Sequence, residues 1–518
     1  MLLILTLAIR LAFVDGLWFS ESLTIAADSK SLYSFEPADP GSEPGLLARG
    51  KEFLKELRTL PSESWPVNVV LGSLYTVFGV SDLISILPGL AASLLAGFFI
   101  YFLAAQLFDE TTGLLAAFLW AIVPLSVFLS VSLLPVVPLV AMNLLAAALF
   151  FRAVQTPAWG TYLPAAFVAA VGLVLDWTFF LPTAIFMALY TIQRLKIPKW
   201  KPVGNGLGLL VLATAFLPGV GAAASELFNL NLLLFDNFIM LPLMAIGLVF
   251  VASVKRDLPI HFLLIWLAVK AAFVFISAPY ILQRPLLQTI GFSGYWLDLI
   301  PPVLILIAFQ FARRYDSQQI KRVLLGIGAT AILGSIFLIL TPSFPAGFAT
   351  ISRISVGVAF LCIFLYLAFW KKGRPLGNIS LLGALLTFLL LASLSIVNDY
   401  VGSYVYPVED AREVRATLKA LDGDPVVFVG DDFVYERLLY LGRYQNPQAL
   451  DESDSASVYA LNPNRSGEVP GGAYVVVSSQ YLGLILGIPP ANWEVVQEFS
   501  HSSQQTLILY HVVVDDLE

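Results

Sequence analysis

Apolar runs separated by short polar gaps fill most of this chain. A membrane-crossing helix needs roughly 20 apolar residues. Thirteen stretches meet or approach that length: Leu2–Leu17, Leu83–Leu107, Gly113–Leu133, Leu134–Phe151, Thr161–Leu175, Thr178–Ile192, Gly204–Ala222, Leu233–Val254, Pro259–Ala278, Leu297–Ala312, Val323–Leu340, Phe348–Trp370 and Ile379–Val397. Leu2–Leu17 has no basic region before it and no small-residue cleavage site after it, so it reads as an uncleaved first span, interrupted by Arg10. The pattern predicts a polytopic α-helical membrane protein.

Two regions break this rhythm. The first is the polar loop Asp15–Pro66. Within it Leu46, Leu47, Phe53, Leu54, Leu57 and Leu60 recur at helical spacing, with Lys51, Lys55 and Arg58 on another face. This predicts an amphipathic helix at the membrane surface. Pro66–Phe78, closed by Gly79, is a second such helix, too short to span. Both either line a site or cover the outer face of the bundle. The second region begins near Asn398, where helical stretches at Val408–Leu421 and Phe433–Leu441 alternate with strand-like runs at Val426–Val429, Tyr474–Val477, Trp493–Phe499 and Thr506–Val513. That predicts a small α/β domain of about 120 residues. The expected division is therefore a transmembrane domain over 1–397 and a soluble domain over 398–518.

Composition agrees: 58% of residues are apolar and 13% charged, against roughly a quarter charged in soluble domains. Basic residues orient the chain. Alternate short loops hold 14 of them, from Arg152 to Arg374, whereas the opposite side offers Arg284 and Arg353. The N-terminus is expected in the cytoplasm, with the Asp15–Pro66 loop and the C-terminal domain outside. The C-terminal region carries 18 acidic and 6 basic residues, which excludes nucleic acid as a partner. Cys362 is the single cysteine, so no internal disulfide forms, and the three histidines lack metal-ligand spacing. No clear metal site is visible; a divalent metal stays possible and the cofactor unknown.

Several short motifs, in order, resemble the GT-C superfamily of glycosyltransferases, and within it the protein O-mannosyltransferases and the lipid A aminoarabinose transferase. Arg10 with Leu17-Trp18-Phe19-Ser20-Glu21 resembles the end of the family's first span and its external Asp-Glu pair. Trp65-Pro66 through Phe78-Gly79, Leu87-Pro88-Gly89-Leu90, Tyr295 to Pro302, and Leu439-Tyr440-Leu441-Gly442-Arg443 resemble later family phrases. Three positions depart from the pattern. Ser20 stands where the family has its catalytic Asp, Val136 or Val137 where a second Asp is expected, and Gly294 where a basic residue precedes the Tyr.

The resemblance implies transfer of a sugar from a polyprenyl-phosphate donor to a glycan, lipid or protein acceptor on the extracytoplasmic side. A carboxylate takes the acceptor's proton, and basic groups or a metal neutralise the leaving phosphate. Glu21, Asp15 and Asp298 are the candidate catalytic acids. Arg284, Arg353, Asp176, Tyr295 and Trp65 are the candidate substrate-binding residues. The bland alternatives are a loop acid for Glu21, a helix-end residue for Asp15 and a water-facing residue for Asp298. Lys270, deep in a span, either pairs with an acid or snorkels. The altered acids also allow a catalytically silent relative that binds a lipid-linked sugar or serves as an assembly subunit. A transporter fits less well, since no inverted repeat is visible.

Overall fold

The structure is a computed structural model. It describes residues 1–12, 65–79, 81–156 except 134, 159–194, 258–272, 289–313, 317–340 and 382–394. In the C-terminal part it describes 413–418, 426–430, 457–461, 469–479, 489–499 and 506–513, with a few isolated positions besides. Packing groups the chain into two compact units: Met1–Val14 with Gly89–Asp399, and Asp15–Pro88 with Tyr400–Glu518.

The helices are α1 (Leu2–Leu11), α2 (Trp65–Phe78), α3 (Asp82–Leu107), α4 (Glu110–Ile122), α5 (Pro124–Ser130), α6 (Val136–Gln155), α7 (Trp159–Leu175), α8 (Trp177–Arg194), α9 (Leu258–Ala272), α10 (Thr289–Ala312) and α11 (Ser317–Leu340). A further helix, α12, covers Leu382–Leu394. Among the described residues three helices are long and apolar enough to cross a membrane, and the bent pair α4–α5 makes a fourth. The expected spans at Gly204–Ala222, Leu233–Val254 and Phe348–Trp370, and the surface helix within Asp15–Pro66, lie outside the described residues. The predicted Pro66–Phe78 helix is present as α2. It stops where Gly79 takes φ +78° and donates its N–H to Tyr75 O at 2.9 Å, a left-handed stop that favours glycine.

The third predicted span, Gly113–Leu133, is one element in the sequence and two in the structure. Val123 is extended (φ −64°, ψ 121°), and α4 and α5 meet at 63°. Pro124 opens α5. It has no N–H to continue the α4 ladder, and its ring disfavours a helical Val123. The break leaves the last carbonyls of α4 without helical partners. In an apolar unit those carbonyls must be satisfied by other groups.

Close helix packing explains the small residues of this unit. A Cβ at Gly89 on α3 would stand 2.5 Å from Ser130 O at the end of α5, a contact no side chain can make. Trp120, fully buried, donates its indole N–H to Ser93 O at 3.1 Å.

In the other unit a five-stranded mixed sheet has the order β2-β1-β3-β5-β4. Its strands are β1 (Val426–Val429), β2 (Ser457–Ala460), β3 (Tyr474–Ser478), β4 (Trp493–Phe499) and β5 (Leu507–Val512). β1 runs parallel to β2 and β3, and β5 runs antiparallel to β3 and β4. Both faces are covered. Val414, Leu418, Val427, Val429 and Leu509 pack on one, and Val475, Val477, Trp493, Tyr510 and Val512 on the other. A residue alternation of period two produces this division. The sequence pattern finds four of the strands and omits β2.

Candidate functional site

α6, α8, α9 and α10 each bring one polar side chain to a common point inside the apolar unit. These are Asn143, Thr183, Lys270 and Asp298, with relative exposures of 0%, 0%, 2% and 4%. The Lys270 ammonium forms an ion pair with Asp298 Oδ2. It also lies 3.5 Å from Phe179 O and 5.4 Å from the centre of the Phe179 ring. Asn143 Nδ2 donates to the other carboxylate oxygen of Asp298 at 3.2 Å. Thr183 Oγ1 donates to Asn143 Oδ1 at 2.7 Å. A threonine, an asparagine, an aspartate and a lysine thus form one hydrogen-bonded line across four helices.

Helical periodicity builds this point. Lys270, Trp266 and Phe262 recur every fourth residue on α9 and share one face. Thr183, Phe186 and Tyr190, spaced by three and then four residues, share one face of α8. The rings interlock beside the polar line: Phe186 lies 6.0 Å from Trp266 and 5.0 Å from Phe262, and Phe262 lies 5.0 Å from Phe151. Such a packed aromatic wall excludes water, so each charge depends on the other. A lone charge in this setting costs several kcal/mol. On α10, Pro301 and Pro302 follow Asp298 and remove two ladder donors close to the pair.

Lys270 therefore pairs with an acid, one of the two expected outcomes. Asp298 is buried, which overturns its water-facing alternative. Both of its oxygens are engaged, one by Lys270 and the other by Asn143.

Asp176 caps α8: its Oδ1 accepts the N–H of Phe179 at 3.0 Å. It thereby fixes the first turn of the helix that supplies Phe179 and Thr183. Tyr295 lies in α10 one turn before Asp298, and Trp65 begins α2 in the other unit; neither side chain is described. Asp15, Glu21, Arg284 and Arg353 lie outside the described residues. Val137 is completely buried at the start of α6. Sequence reasoning missed Asn143 and Thr183. Asn143, a lone amide inside the apolar run from Leu139 to Phe151, was the available signal. Among the described residues no group of three or more His, Cys, Asp and Glu side chains is arranged to hold a metal.

A second buried polar point occupies the α4–α5 corner. Arg10 on α1 is fully buried. Its guanidinium donates to Thr6 O at 3.1 Å, Ala121 O at 3.2 Å and Ser126 Oγ at 2.7 Å. Ser393 Oγ on α12 donates to Ile122 O. The carbonyls released by the break are thus taken up by α1 and α12.

Residues 67–221 match the family model described as dolichyl-phosphate-mannose-protein mannosyltransferase. Two solved structures of ArnT from Cupriavidus metallidurans share the fold. The apo structure superposes with a TM-score of 0.51 at 14% identity, over 86% of each chain. The structure bound to undecaprenyl phosphate superposes with a TM-score of 0.52 at 13% identity, over 97% of this chain and 96% of that one. No curated protein sequence matches the chain. The chain thus shares the fold of ArnT and, among the described residues, carries several helices long and apolar enough to cross a membrane.

Proposed function

We propose that this GT-C-fold chain is a membrane glycosyltransferase that takes a sugar from a polyprenyl-phosphate donor and passes it to an acceptor hydroxyl outside the cytoplasm. The observation that carries this reading is the superposition over 97% of the chain with ArnT bound to undecaprenyl phosphate. The mannosyltransferase family model over residues 67–221 supports it independently.

In this reading the Glu21 carboxylate accepts the proton of the acceptor hydroxyl. The acceptor oxygen forms the new bond to the anomeric carbon. The bond from that carbon to the phosphate oxygen breaks, and polyprenyl phosphate leaves with the electron pair. Arg284 and Arg353 neutralise the developing phosphate charge. Asp15 assists at the membrane boundary. The distribution of basic loops supports a cytoplasmic N-terminus and a 398–518 domain outside the cytoplasm. The Lys270–Asp298 line holds α6, α8, α9 and α10 together.

One observation favours a second reading, in which the chain binds a lipid-linked sugar without turning it over. Ser20 stands where the resemblance calls for one acid, and Val136 or the buried Val137 where it calls for a second. Purified protein in lipid nanodiscs, given labelled polyprenyl-phosphate sugars and candidate acceptors, separates the two. The first reading expects release of polyprenyl phosphate, reduced at least about 100-fold in Glu21→Gln, the usual scale for losing a general base. Donor binding without release by the unaltered protein overturns it in favour of the second.

A further inference from the structure

In the C-terminal sheet the chain passes from β1 to the parallel strand β2 on one side, then back across β1 to the parallel strand β3 on the other. Crossovers between parallel strands are almost always right-handed, so two that step in opposite directions run over opposite faces of the sheet. The packing agrees. Val434, in the β1–β2 connection, packs on the face of Val427, Val429 and Val476. Leu461 and Val469, in the β2–β3 connection, pack on the face of Val475 and Val477. The connections therefore part to the two faces between β1 and β3. Open α/β sheets bind their ligands at such a point, outside the carboxyl ends of the strands.

The register leaves a step there. The last β1–β3 pair is Val429 with Val476, and Gly430 closes this ladder by donating its N–H to Val476 O at 2.9 Å. β3 continues in register with β5 as far as Ser478, opposite Leu507, and the Ser479 N–H then reaches Thr506 O at 2.8 Å. β3 thus outruns its pairing with β1 by two residues, about 7 Å. At the end of β1 stands Gly430, which has no side chain. Along the end of β3 the apolar run Val475–Val477 gives way to Ser478 and Ser479. Ser479 is exposed, and its Oγ accepts the Thr506 N–H at 3.2 Å. A hydroxyl both donates and accepts, as the hydroxyls of a sugar do.

Charge selects among polar ligands. Asp431 and Asp432 follow Gly430 in the chain, so two negative charges are tied within about 8 Å of backbone to the β1 end, inside one screening length. Anions are repelled there, and β1 is not followed by the glycine-rich sequence that cradles a phosphate. We infer that the carboxyl ends of β1 and β3 form a binding site for a neutral carbohydrate, whose hydroxyls meet the Ser479 side chain and the main chain at Gly430. This goes beyond the transferase reading: the site lies wholly within the unit of the sheet and involves no sugar transfer.

The test uses the full chain in nanodiscs without polyprenyl lipid. Methyl glycosides of mannose, glucose, galactose and arabinose are the neutral probes; glucose 1-phosphate and calcium are the charged ones. Amide hydrogen exchange locates each probe and titration calorimetry measures its affinity. At least one glycoside is expected to slow exchange at residues 427–430 and 475–479. Ser479→Ala is expected to weaken it about fivefold, the scale of one hydrogen bond. Ser479→Trp, which fills the step from an exposed position, weakens it at least about tenfold. Glu494→Gln, exposed on β4 at the far edge of the sheet, leaves it unchanged. The inference is overturned if no glycoside slows exchange at these segments, or if Ser479→Trp binds as tightly as the unaltered protein. It is overturned as well if glucose 1-phosphate or calcium protects them and the glycosides do not. Glycoside protection confined to the helices of the apolar unit also overturns it and leaves the transferase reading intact. Protection at the sheet, in a protein that turns over no donor, upholds it while that reading fails.

Discussion

Lys270 on α9 and Asp298 on α10 form an ion pair inside the apolar unit, almost wholly removed from solvent. Neither charge has a second ionised partner among the described residues, so each is the other's neutraliser. Removing one leaves a buried charge uncompensated, which costs about 3–5 kcal/mol, whereas replacing both by apolar or neutral groups is often close to neutral. Lys270→Met and Asp298→Leu are therefore each expected to lower the unfolding temperature strongly. Lys270→Met with Asp298→Leu together is expected to restore most of it. Thermal unfolding of the detergent-purified variants checks this; a double variant as weak as the worse single one contradicts the pairing.

The extension from Asp298 through Asn143 to Thr183 predicts a graded series. Asn143→Leu leaves an Asp298 lone pair and the Thr183 hydroxyl without their partners, at about 1–3 kcal/mol. Thr183→Val removes one donor to the Asn143 carbonyl and costs about 1 kcal/mol. Combining the two is expected to cost little more than Asn143→Leu alone, because both act on the same line. A double-mutant cycle on unfolding free energy measures the coupling, and strict additivity would show that the three side chains act separately.

Gly89 is predicted to accept no side chain. The new Cβ of Gly89→Ala meets the Ser130 carbonyl oxygen, which is backbone and cannot swing aside. Separation of α3 from the end of α5 costs about 1–3 kcal/mol. The contrasting substitution is Gly334→Ala, where a Cβ meets nothing within 4 Å and replacement in a helix stabilises by up to about 1 kcal/mol. Parallel melting curves of the two variants distinguish a packing requirement from a general intolerance of change at glycine.

Tyr510 on β5 supplies a pH dependence. Burial, and then the negative charge of Glu498, push its hydroxyl above the ordinary tyrosine range. The folded state holds the proton more tightly than the unfolded state does. Its contribution is complete below the unfolded pKa of about 10 and is lost as pH rises through the folded value. Tyr510→Phe is expected to flatten the alkaline limb of the sheet's stability while leaving the neutral range almost unchanged. Circular dichroism of the β-signal against pH reads this directly.

The features set by local chemistry were legible in the sequence. Apolar runs located α3, α6, α7, α8, α9, α10 and α11, and Gly79 marked the end of α2. Lys270 stood out because an ammonium inside an apolar run needs a partner, and Asp298 because it adjoins two prolines. That the two meet was not legible, because pairing depends on how α9 and α10 rotate against each other, and a chain pattern does not fix that rotation. Asn143 and Thr183 were hidden for the same reason, as single polar residues on faces whose neighbours are supplied by other helices. The corner at Val123 was signalled by Pro124, yet prolines also sit inside α3, α7, α8 and α10. What distinguishes Pro124 is the arrival of Arg10 and Ser393 at the carbonyls it exposes. β2 was missed because its four residues hold a single branched side chain, Val458; the parallel ladder to β1 makes it a strand.

The α4–α5 corner also has a history within each molecule. Arg10 is synthesised before it, whereas Ser393, the donor to Ile122 O, lies 271 residues downstream. As the chain enters the membrane, the Ala121 carbonyl has its partner waiting, and the Ile122 carbonyl stays unmet until nearly the whole apolar unit has been made. α4 and α5, 13 and 7 residues long, are each too short to cross alone, so they must enter as one segment and take their final angle afterwards. Completion of the corner is thus a late event in biogenesis, and truncation before α12 yields a chain that inserts yet keeps an open seam where α4 meets α5.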